Sequence, residues 1–143
     1  MTDTEITQRY LAMLKTAFGS DILALLDDED VIEVMLNPDG QIVTDRLGLG
    51  KRMEGKSIDP QQSANIIKLV ASFKNEVADV ESPVVSTEIP IKSARFQGWL
   101  PPVVSSPCFA IRKRAIQVFT LQNYVSEGLL SQDAADYLKQ GVL

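Results

Sequence analysis

Two stretches decide the fold: Arg95-Phe96-Gln97-Gly98-Trp99-Leu100-Pro101-Pro102 and, a few residues later, Phe109-Ala110-Ile111-Arg112-Lys113-Arg114. Each stretch is typical of a short β-strand, and prolines stiffen the turn between them. Large apolar residues share one parity within each strand: Phe96, Leu100, Phe109 and Ile111. Because successive side chains of a strand point to opposite faces of the sheet, this alternation predicts one buried face. Arg95 and Arg112 are then predicted to lie together on the other face.

Arginine residues on an exposed sheet face can bind anions. The guanidinium group is planar and presents a fork of donors that suits a phosphate or a carboxylate. Arg95 and Arg112 are therefore candidate anion-binding residues. Ordinary solvent-exposed arginines on a sheet produce the same alternation. The pattern by itself leaves both interpretations open.

The composition indicates one soluble globular domain. The chain has 143 residues, of which 45% are hydrophobic and 23% are charged, and this length suffices for a hydrophobic core. The single cysteine, Cys108, is expected to act as a small buried hydrophobic residue. The sequence contains no histidine. Catalytic pairs of serine or cysteine with histidine, and zinc sites with histidine ligands, are therefore excluded.

The charge balance argues against direct nucleic-acid binding. The formal net charge is −5, whereas non-specific binding to nucleic acid requires a basic surface. The basic triplet Arg112-Lys113-Arg114 is too short to reverse this balance. The acidic, polar N-terminus does not resemble a secretory signal, and apolar runs such as Ile22–Leu26 fall short of the roughly 20 residues that span a bilayer. We expect a cytoplasmic protein.

Two helices are predicted at the start of the chain. Thr2 and Glu5 have the spacing of a capping box. Gly19 is expected to end the first helix, and Asp21 can cap a short second one. The acidic run of residues 27–30 lacks the alternating ligands and the internal glycine of a calcium loop. We interpret this run as a solvated turn.

A hairpin and a central helix are predicted next. The strands Val31–Leu36 and Gln41–Arg46 flank Asn37-Pro38-Asp39-Gly40, which is a typical turn sequence. Asp59 can act as the N-cap of the following helix. Pro60 then occupies the first helical position, where a missing N–H costs nothing.

The last part of the chain completes the fold class. Pro83–Ile89 is predicted to be a strand that precedes the two opening stretches, and Ser131 is expected to cap a final helix. The order of elements is helix, helix, strands, helix, strands, helix. This order predicts an α+β domain with a mostly antiparallel sheet, N-terminal helices, one central helix and a C-terminal helix.

Residues 50–57 match the P-loop pattern of a glycine, four residues and then Gly-Lys-Ser. A P-loop must approach phosphate closely and launch a helix at its lysine. Three of the four intervening residues are bulky and charged, and Asp59-Pro60 begins a helix only at residue 60. A P-loop helix would already run through Pro60, where the ring clashes and a donor is lost. We therefore interpret residues 50–57 as a charged hairpin turn, although the glycines at 48, 50 and 55 also suggest a further turn and a weak edge strand.

Four segments, taken in order, resemble a known family: Val31–Gly40, Asp45–Gly48, Arg95–Pro102 and Phe109–Arg114. They are similar to the N-terminal domain of the secretion and conjugation traffic ATPases of type IV secretion systems, and most of all to its conjugal-transfer branch. The most specific part is Leu100-Pro101-Pro102 followed by Ala110-Ile111-Arg112-Lys113. The tail, Leu121–Leu143, is similar to the segment that leads into the ATPase domain of that family.

The resemblance implies an incomplete motor. Residues 1–122 would form the N-terminal domain, and residues 123–143 a linker towards an absent RecA-like ATPase domain. Members of the family are hexameric ATPases that use ATP with magnesium at the inner membrane. The resemblance therefore implies a homohexamer, other conjugation or secretion machinery proteins as partners, and a peripheral position on the cytoplasmic side of that membrane. The fragment alone is expected to be inactive.

The resemblance also gives the arginines a ligand. In this family the nucleotide lies between the two domains, and arginines of the N-terminal domain reach its phosphates. The matching positions are Arg95 and Arg112, and Arg114 shares their parity as a less specific candidate. Two other functions remain open: a stand-alone P-loop nucleotide-binding protein that uses residues 50–57, and a protein-interaction module in which Trp99 forms the contact.

Overall fold

The computed structural model describes residues 2–115 and 119–142. The elements, in chain order, are α1 (Asp3–Asp27), β1 (Val31–Leu36), β2 (Gln41–Arg46), β3 (Gly50–Ser57), α2 (Pro60–Phe73), β4 (Val84–Ile89), β5 (Ala94–Trp99), β6 (Cys108–Arg112), α3 (Leu121–Ser126) and α4 (Gln132–Val142). The strands form one six-stranded sheet in the order β3-β2-β1-β6-β5-β4. All five pairs of neighbours are antiparallel. The predicted α+β class is confirmed.

The helix α1 begins and bends where the sequence predicts. The Thr2 hydroxyl accepts from the N–H of Glu5, and the Glu5 carboxylate accepts from the N–H of Thr2, which completes the capping box. Gly19 has a φ of +79° and divides the helical segment into two parts, because this left-handed conformation is open to glycine without steric cost. The sequence predicts that Asp21 caps the second part of this helix. The Asp21 carboxylate instead accepts a hydrogen bond from Lys56 Nζ at 3.0 Å.

The helix α2 also begins as predicted. The Asp59 carboxylate accepts from the N–H of Gln62 at 2.9 Å, and Pro60 is the first helical residue. The side-chain amide of Gln62 donates to the carbonyl of Ala17 at 3.2 Å. The two long helices are therefore joined by a hydrogen bond as well as by apolar packing.

Both long helices pack on one face of the sheet, where the core lies. Aromatic rings occupy its centre: the Phe96 and Phe109 rings have centroids 5.4 Å apart, and Phe18 of α1 lies 6.4 Å from Phe109. Ile66 and Ile67 of α2 are fully buried against the same face. The predicted alternation is confirmed in both strands, since Phe96, Phe109 and Ile111 are buried whereas Arg95 and Arg112 are exposed.

Two local predictions require correction. Residues 50–57 form the edge strand β3, paired with β2 from Gln41↔Ser57 to Arg46↔Gly50, as the glycines at 48, 50 and 55 suggested, and the interpretation as a charged hairpin turn is wrong. A turn would leave the N–H and carbonyl groups of β2 unpaired on that side, whereas a strand pairs them. The sequence analysis also missed the six-residue helix α3, whose N-cap Thr120 accepts from the N–H of Asn123.

The C-terminal helices form a separate pair. Ser131 caps α4 as predicted, because its hydroxyl accepts from the N–H of Ala134 at 3.2 Å. α3 and α4 pack against each other, and Ala135 of α4 is buried. The predicted boundary between residues 122 and 123 falls inside α3 and remains a prediction. Among the described residues, none of the helices has the length and apolar content that a bilayer crossing requires.

A polar network joins the end of α1 to the edge of the sheet. Arg46 of β2 donates through Nη1 to Asp28 at 2.8 Å and through Nη2 to Glu54 of β3 at 3.0 Å. The Thr44 hydroxyl, which is fully buried, donates to the same Glu54 oxygen. Part of the acidic run predicted to be a solvated turn therefore has a structural role at Asp28.

This network is expected to make stability depend on pH. The Thr44 hydroxyl, and then the Arg46 guanidinium, hold the pKa of Glu54 below its ordinary value of 4.5. A carboxyl group with a lowered pKa in the folded state stabilises the protein above its unfolded-state pKa, and this stabilisation is lost as pH falls through the folded-state pKa. Glu54→Gln is therefore expected to reduce the loss of stability on acidification below about pH 5.

Urea unfolding of wild type and variant at several acidic pH values measures this effect. Glu76→Gln is the matched control, because Glu76 is exposed in the connection between α2 and β4. It should keep the wild-type pH dependence. Identical pH dependence in wild type and Glu54→Gln would contradict the assignment.

Candidate functional site

The sheet face opposite the long helices carries a row of charged residues that crosses all six strands. Strand pairing aligns one residue of each strand: Glu88 with Arg95, Arg95 with Arg112, Arg112 with Glu33, Glu33 with Asp45, and Asp45 with Lys51. We call this set the charged row and the face that bears it the outer face. The register thus places Arg95 directly opposite Arg112, and both lie on the same face, as expected from their parity.

The order of signs along the charged row is unusual for a sheet. Three of its residues are basic and three acidic, so its net charge is zero. Two neighbouring pairs nevertheless have like charge: Arg95 with Arg112, and Glu33 with Asp45. Directly opposite residues have Cβ atoms about 4.5–5.5 Å apart, and like charges at this separation are destabilising. A double positive charge is therefore concentrated at two central strands.

Both guanidinium groups are available to a ligand. Arg95 and Arg112 are exposed, and within residues 2–115 and 119–142 neither forms an ion pair with a carboxylate. Arg95 Nη2 lies 3.5 Å from the Ser86 hydroxyl, a distance at which a hydrogen bond is weak. Most of the donors of the pair are thus free to meet an oxyanion, which accepts from two such groups at once.

The next row on the outer face is uncharged. It aligns Ser86, Gln97, Ala110, Met35, Val43 and Met53. Beyond it, Trp99 is half-buried and pairs with Val84 of β4 and with Cys108 of β6. Cys108 is buried, as the sequence analysis predicts, and burial raises the pKa of its thiol. The charges are therefore confined to one line of the face.

The basic triplet of the sequence is divided among three environments. Arg112 lies on the outer face, whereas Lys113 points inwards, and its Nζ donates to the carbonyls of Leu26 and Asp28 at 3.1 and 2.6 Å. These carbonyls belong to the end of α1, where helix carbonyls lack partners within the helix. Burial, and then the nearby charge of Lys92, lower the pKa of Lys113. Lys113 is thus a structural residue.

Arg114 is not aligned with Arg95 and Arg112, and its phosphate contact remains a prediction. β6 ends at Arg112, so the strand parity that made Arg114 a candidate does not extend to it. Its side chain is exposed and lines a shallow cavity beside the end of α1, together with Lys92 and Lys113. Arg95 and Arg112 are therefore brought together by the sheet, and Arg114 lies outside the charged row.

Three features of the site were missed by sequence reasoning: Glu33, Glu88 and the position of Lys113. Each acidic residue lies directly across from one arginine. The alternation of side chains along a strand could have placed both glutamates on the outer face. It does not indicate which residues of neighbouring strands lie opposite each other. Within the described residues, clusters of three or more acidic or cysteine side chains that could hold a metal ion do not occur.

The fold is similar to that of a secretion ATPase of known structure. No family model matches the chain. The structure matches the VirB11 ATPase of the Brucella suis type IV secretion system, solved in complex with sulphate, with a TM-score of 0.74 over 90% of this chain and 38% of that one, at 21% identity. The VirB11 protein of Bartonella quintana is 28% identical over 112 residues, which are 77% of this chain and 31% of that protein.

Higher sequence similarity is found to conjugal transfer proteins. The chain is 36% identical over 142 residues to the conjugal transfer protein TrbB of Rhizobium radiobacter, and 37% identical over 134 residues to a probable TrbB of Sinorhizobium fredii. It is therefore homologous to TrbB and to the VirB11 proteins, and the structural match is to the N-terminal region of VirB11. The alignments cover 99% and 94% of this chain but only 44% and 41% of those TrbB proteins. The chain thus corresponds to a domain-sized part of such proteins.

Proposed function

We propose that this chain is the assembly and nucleotide-contacting N-terminal domain of a hexameric ATPase that powers conjugal DNA transfer or type IV secretion. The observation that carries the proposal is the cross-strand pair Arg95 and Arg112, exposed at the centre of the outer face. In this role the pair meets the phosphates of ATP bound with magnesium by a separate motor domain. The complete protein works at the cytoplasmic side of the inner membrane, with other secretion proteins as partners.

The chemistry of the pair is electrostatic. Two guanidinium groups neutralise the charge of a phosphate and report whether it is present. They do not activate water, because a guanidinium group stays protonated and cannot act as a base. The described part of the chain also has no P-loop, since residues 50–57 pair with β2 as a strand. The isolated chain should therefore hydrolyse no ATP.

Replacing either arginine should impair the complete ATPase. A hydrogen bond to a charged group contributes about 1.5–3 kcal/mol, so Arg95→Ala or Arg112→Ala is expected to lower kcat/KM for ATP about ten- to a hundredfold. Steady-state ATPase assays of the full-length protein measure the effect, with the isolated chain as an inactive reference.

Lys51→Ala is the matched control for this assay. Lys51 belongs to the same charged row and bears the same charge, but it lies at the far edge on β3. Its replacement should leave kcat/KM within about twofold of wild type, because surface charges at this distance are screened by salt. Normal turnover in both arginine variants would remove the proposed role.

A further inference from the structure

We propose that Glu33 and Glu88 compete with phosphate for the arginine pair. When phosphate leaves, Glu33 pairs with Arg112 and Glu88 pairs with Arg95, and this competition sets the affinity of the arginine pair for phosphate. This inference rests on the proposed function and adds the regulation of the same site. It assigns a role to two acidic residues that neither the fold nor hydrolysis requires.

The register provides the first argument. The four positions at the β4 end of the charged row are Glu88, Arg95, Arg112 and Glu33, in that order. Each arginine therefore has the other arginine on one side and a carboxylate on the other. Both carboxylates are directly opposite their arginine on a neighbouring strand, at a Cβ separation of about 4.5–5.5 Å. Side chains of this length bridge such a distance by a change of rotamer alone.

The observed contacts provide the second argument. Within residues 2–115 and 119–142, neither Glu33 nor Glu88 forms an ion pair or a side-chain hydrogen bond. The carboxylates are thus adjacent to the guanidinium groups but not locked to them. By contrast, Arg46 is held by two carboxylates on the other face of the same sheet. Within the described residues, Arg95 and Arg112 of the outer face thus form no ion pair, whereas Arg46 of the inner face forms two.

The chemistry then gives two alternative arrangements. A phosphate between β5 and β6 accepts from both arginines and relieves the repulsion between them. Without phosphate, each guanidinium group is free to pair transiently with the carboxylate opposite it, and this pairing moves the two positive charges apart. Because both arrangements use the same donors, the carboxylates weaken phosphate binding and speed release.

Binding of tripolyphosphate to the 143-residue chain tests the inference. Amide signals of β5 and β6 are followed by NMR during the titration, at constant ionic strength. Exposed ion pairs contribute little, so Glu33→Gln and Glu88→Gln are each expected to lower the Kd about two- to fivefold. Asp45→Asn removes the same charge from the same row at a position that faces no arginine, and it should change the Kd by less.

Double variants separate a pairwise effect from a general one. In an Arg112→Ala background, Glu33→Gln should no longer tighten binding, and the same holds for Glu88→Gln with Arg95→Ala. An unchanged Kd in both glutamine variants, tightening that persists without the arginine, or equal tightening by Asp45→Asn would each overturn the inference.

The same titration distinguishes the two proposals. If Arg95→Ala and Arg112→Ala weaken binding while the glutamine variants do nothing, the counter-charge role fails and the phosphate role stands. If the arginine variants bind tripolyphosphate as well as wild type, or if wild type shows no titration, the counter-charge inference fails, and the ATPase assay of the full-length arginine variants decides the phosphate role separately.

Discussion

Phe109→Ala is expected to lower the free energy of unfolding by about 3–5 kcal/mol, the range for truncating a buried phenylalanine. Only 1% of Phe109 is exposed, and its ring contacts the neighbouring strand through Phe96 and α1 through Phe18. Removal of the ring leaves a cavity where three elements meet, and the close-packed surroundings relax only partly. The loss should accordingly lie in the upper part of the range for single substitutions.

Urea denaturation followed by circular dichroism measures this change. Phe119→Ala is the matched control, because 52% of Phe119 is exposed, and substitutions at the surface usually alter stability by less than about 0.5 kcal/mol. A loss below about 1 kcal/mol for Phe109→Ala would mean that the centre of the core lies elsewhere. The result matters for the site, since Phe109 and Arg112 belong to the same strand.

Gly98→Val is the second large effect, with an overpacking cost of about 3 kcal/mol or somewhat more before the opposing gains are subtracted. A Cβ atom at residue 98 would lie 2.9 Å from Ile67 Cγ1 of α2 and 2.9 Å from Phe96 Cε1. Both neighbours are fully buried, so they cannot give way without moving α2 or the sheet. Two effects oppose the clash: valine has a higher β-propensity, by up to about 1 kcal/mol, and glycine loses more chain entropy on folding, by about 0.4–1 kcal/mol.

The clash is expected to exceed these gains, because overpacking a full core costs about 1–3 kcal/mol even for small insertions. Gly141→Ala is the control with the opposite sign. Gly141 lies in α4, and a Cβ atom at this position would meet none of the described residues within 4 Å. Alanine in a helix is more stable than glycine by roughly 0.5–1 kcal/mol. Thermal unfolding of both variants decides the question, and a stabilised Gly98→Val protein would refute the packing argument.

Local sequence signals predicted most of the elements correctly. The capping box at Thr2 and Glu5, the bend at Gly19 and the start of α2 at Pro60 each depend on residues a few positions apart. Such signals can be recognised in the chain because their hydrogen bonds form within one turn of helix. The prediction was wrong for residues 50–57, whose pairing with β2 satisfies backbone groups that the local sequence does not reveal.

The candidate site was predicted only in part. Alternation placed Arg95 and Arg112 on the exposed face, and the same rule extended to Arg114 failed because β6 ends two residues earlier. Lys113 is one member of a basic triplet in the sequence, yet in the fold it caps the end of α1 from inside the protein. The length of a strand and the partner of a buried lysine depend on tertiary packing. The periodicity of the sequence does not predict this packing.

The sequence by itself determined which face Arg95 and Arg112 take, because the two-residue period of a strand is a property of the backbone. It thus determined that two arginines are exposed beside an apolar core. Only the tertiary structure decided that Arg95 faces Arg112, and that Glu33 and Glu88 flank the pair. Register between strands far apart in the chain is set by the core they jointly bury, and a shift of one residue would move every side chain to the other face.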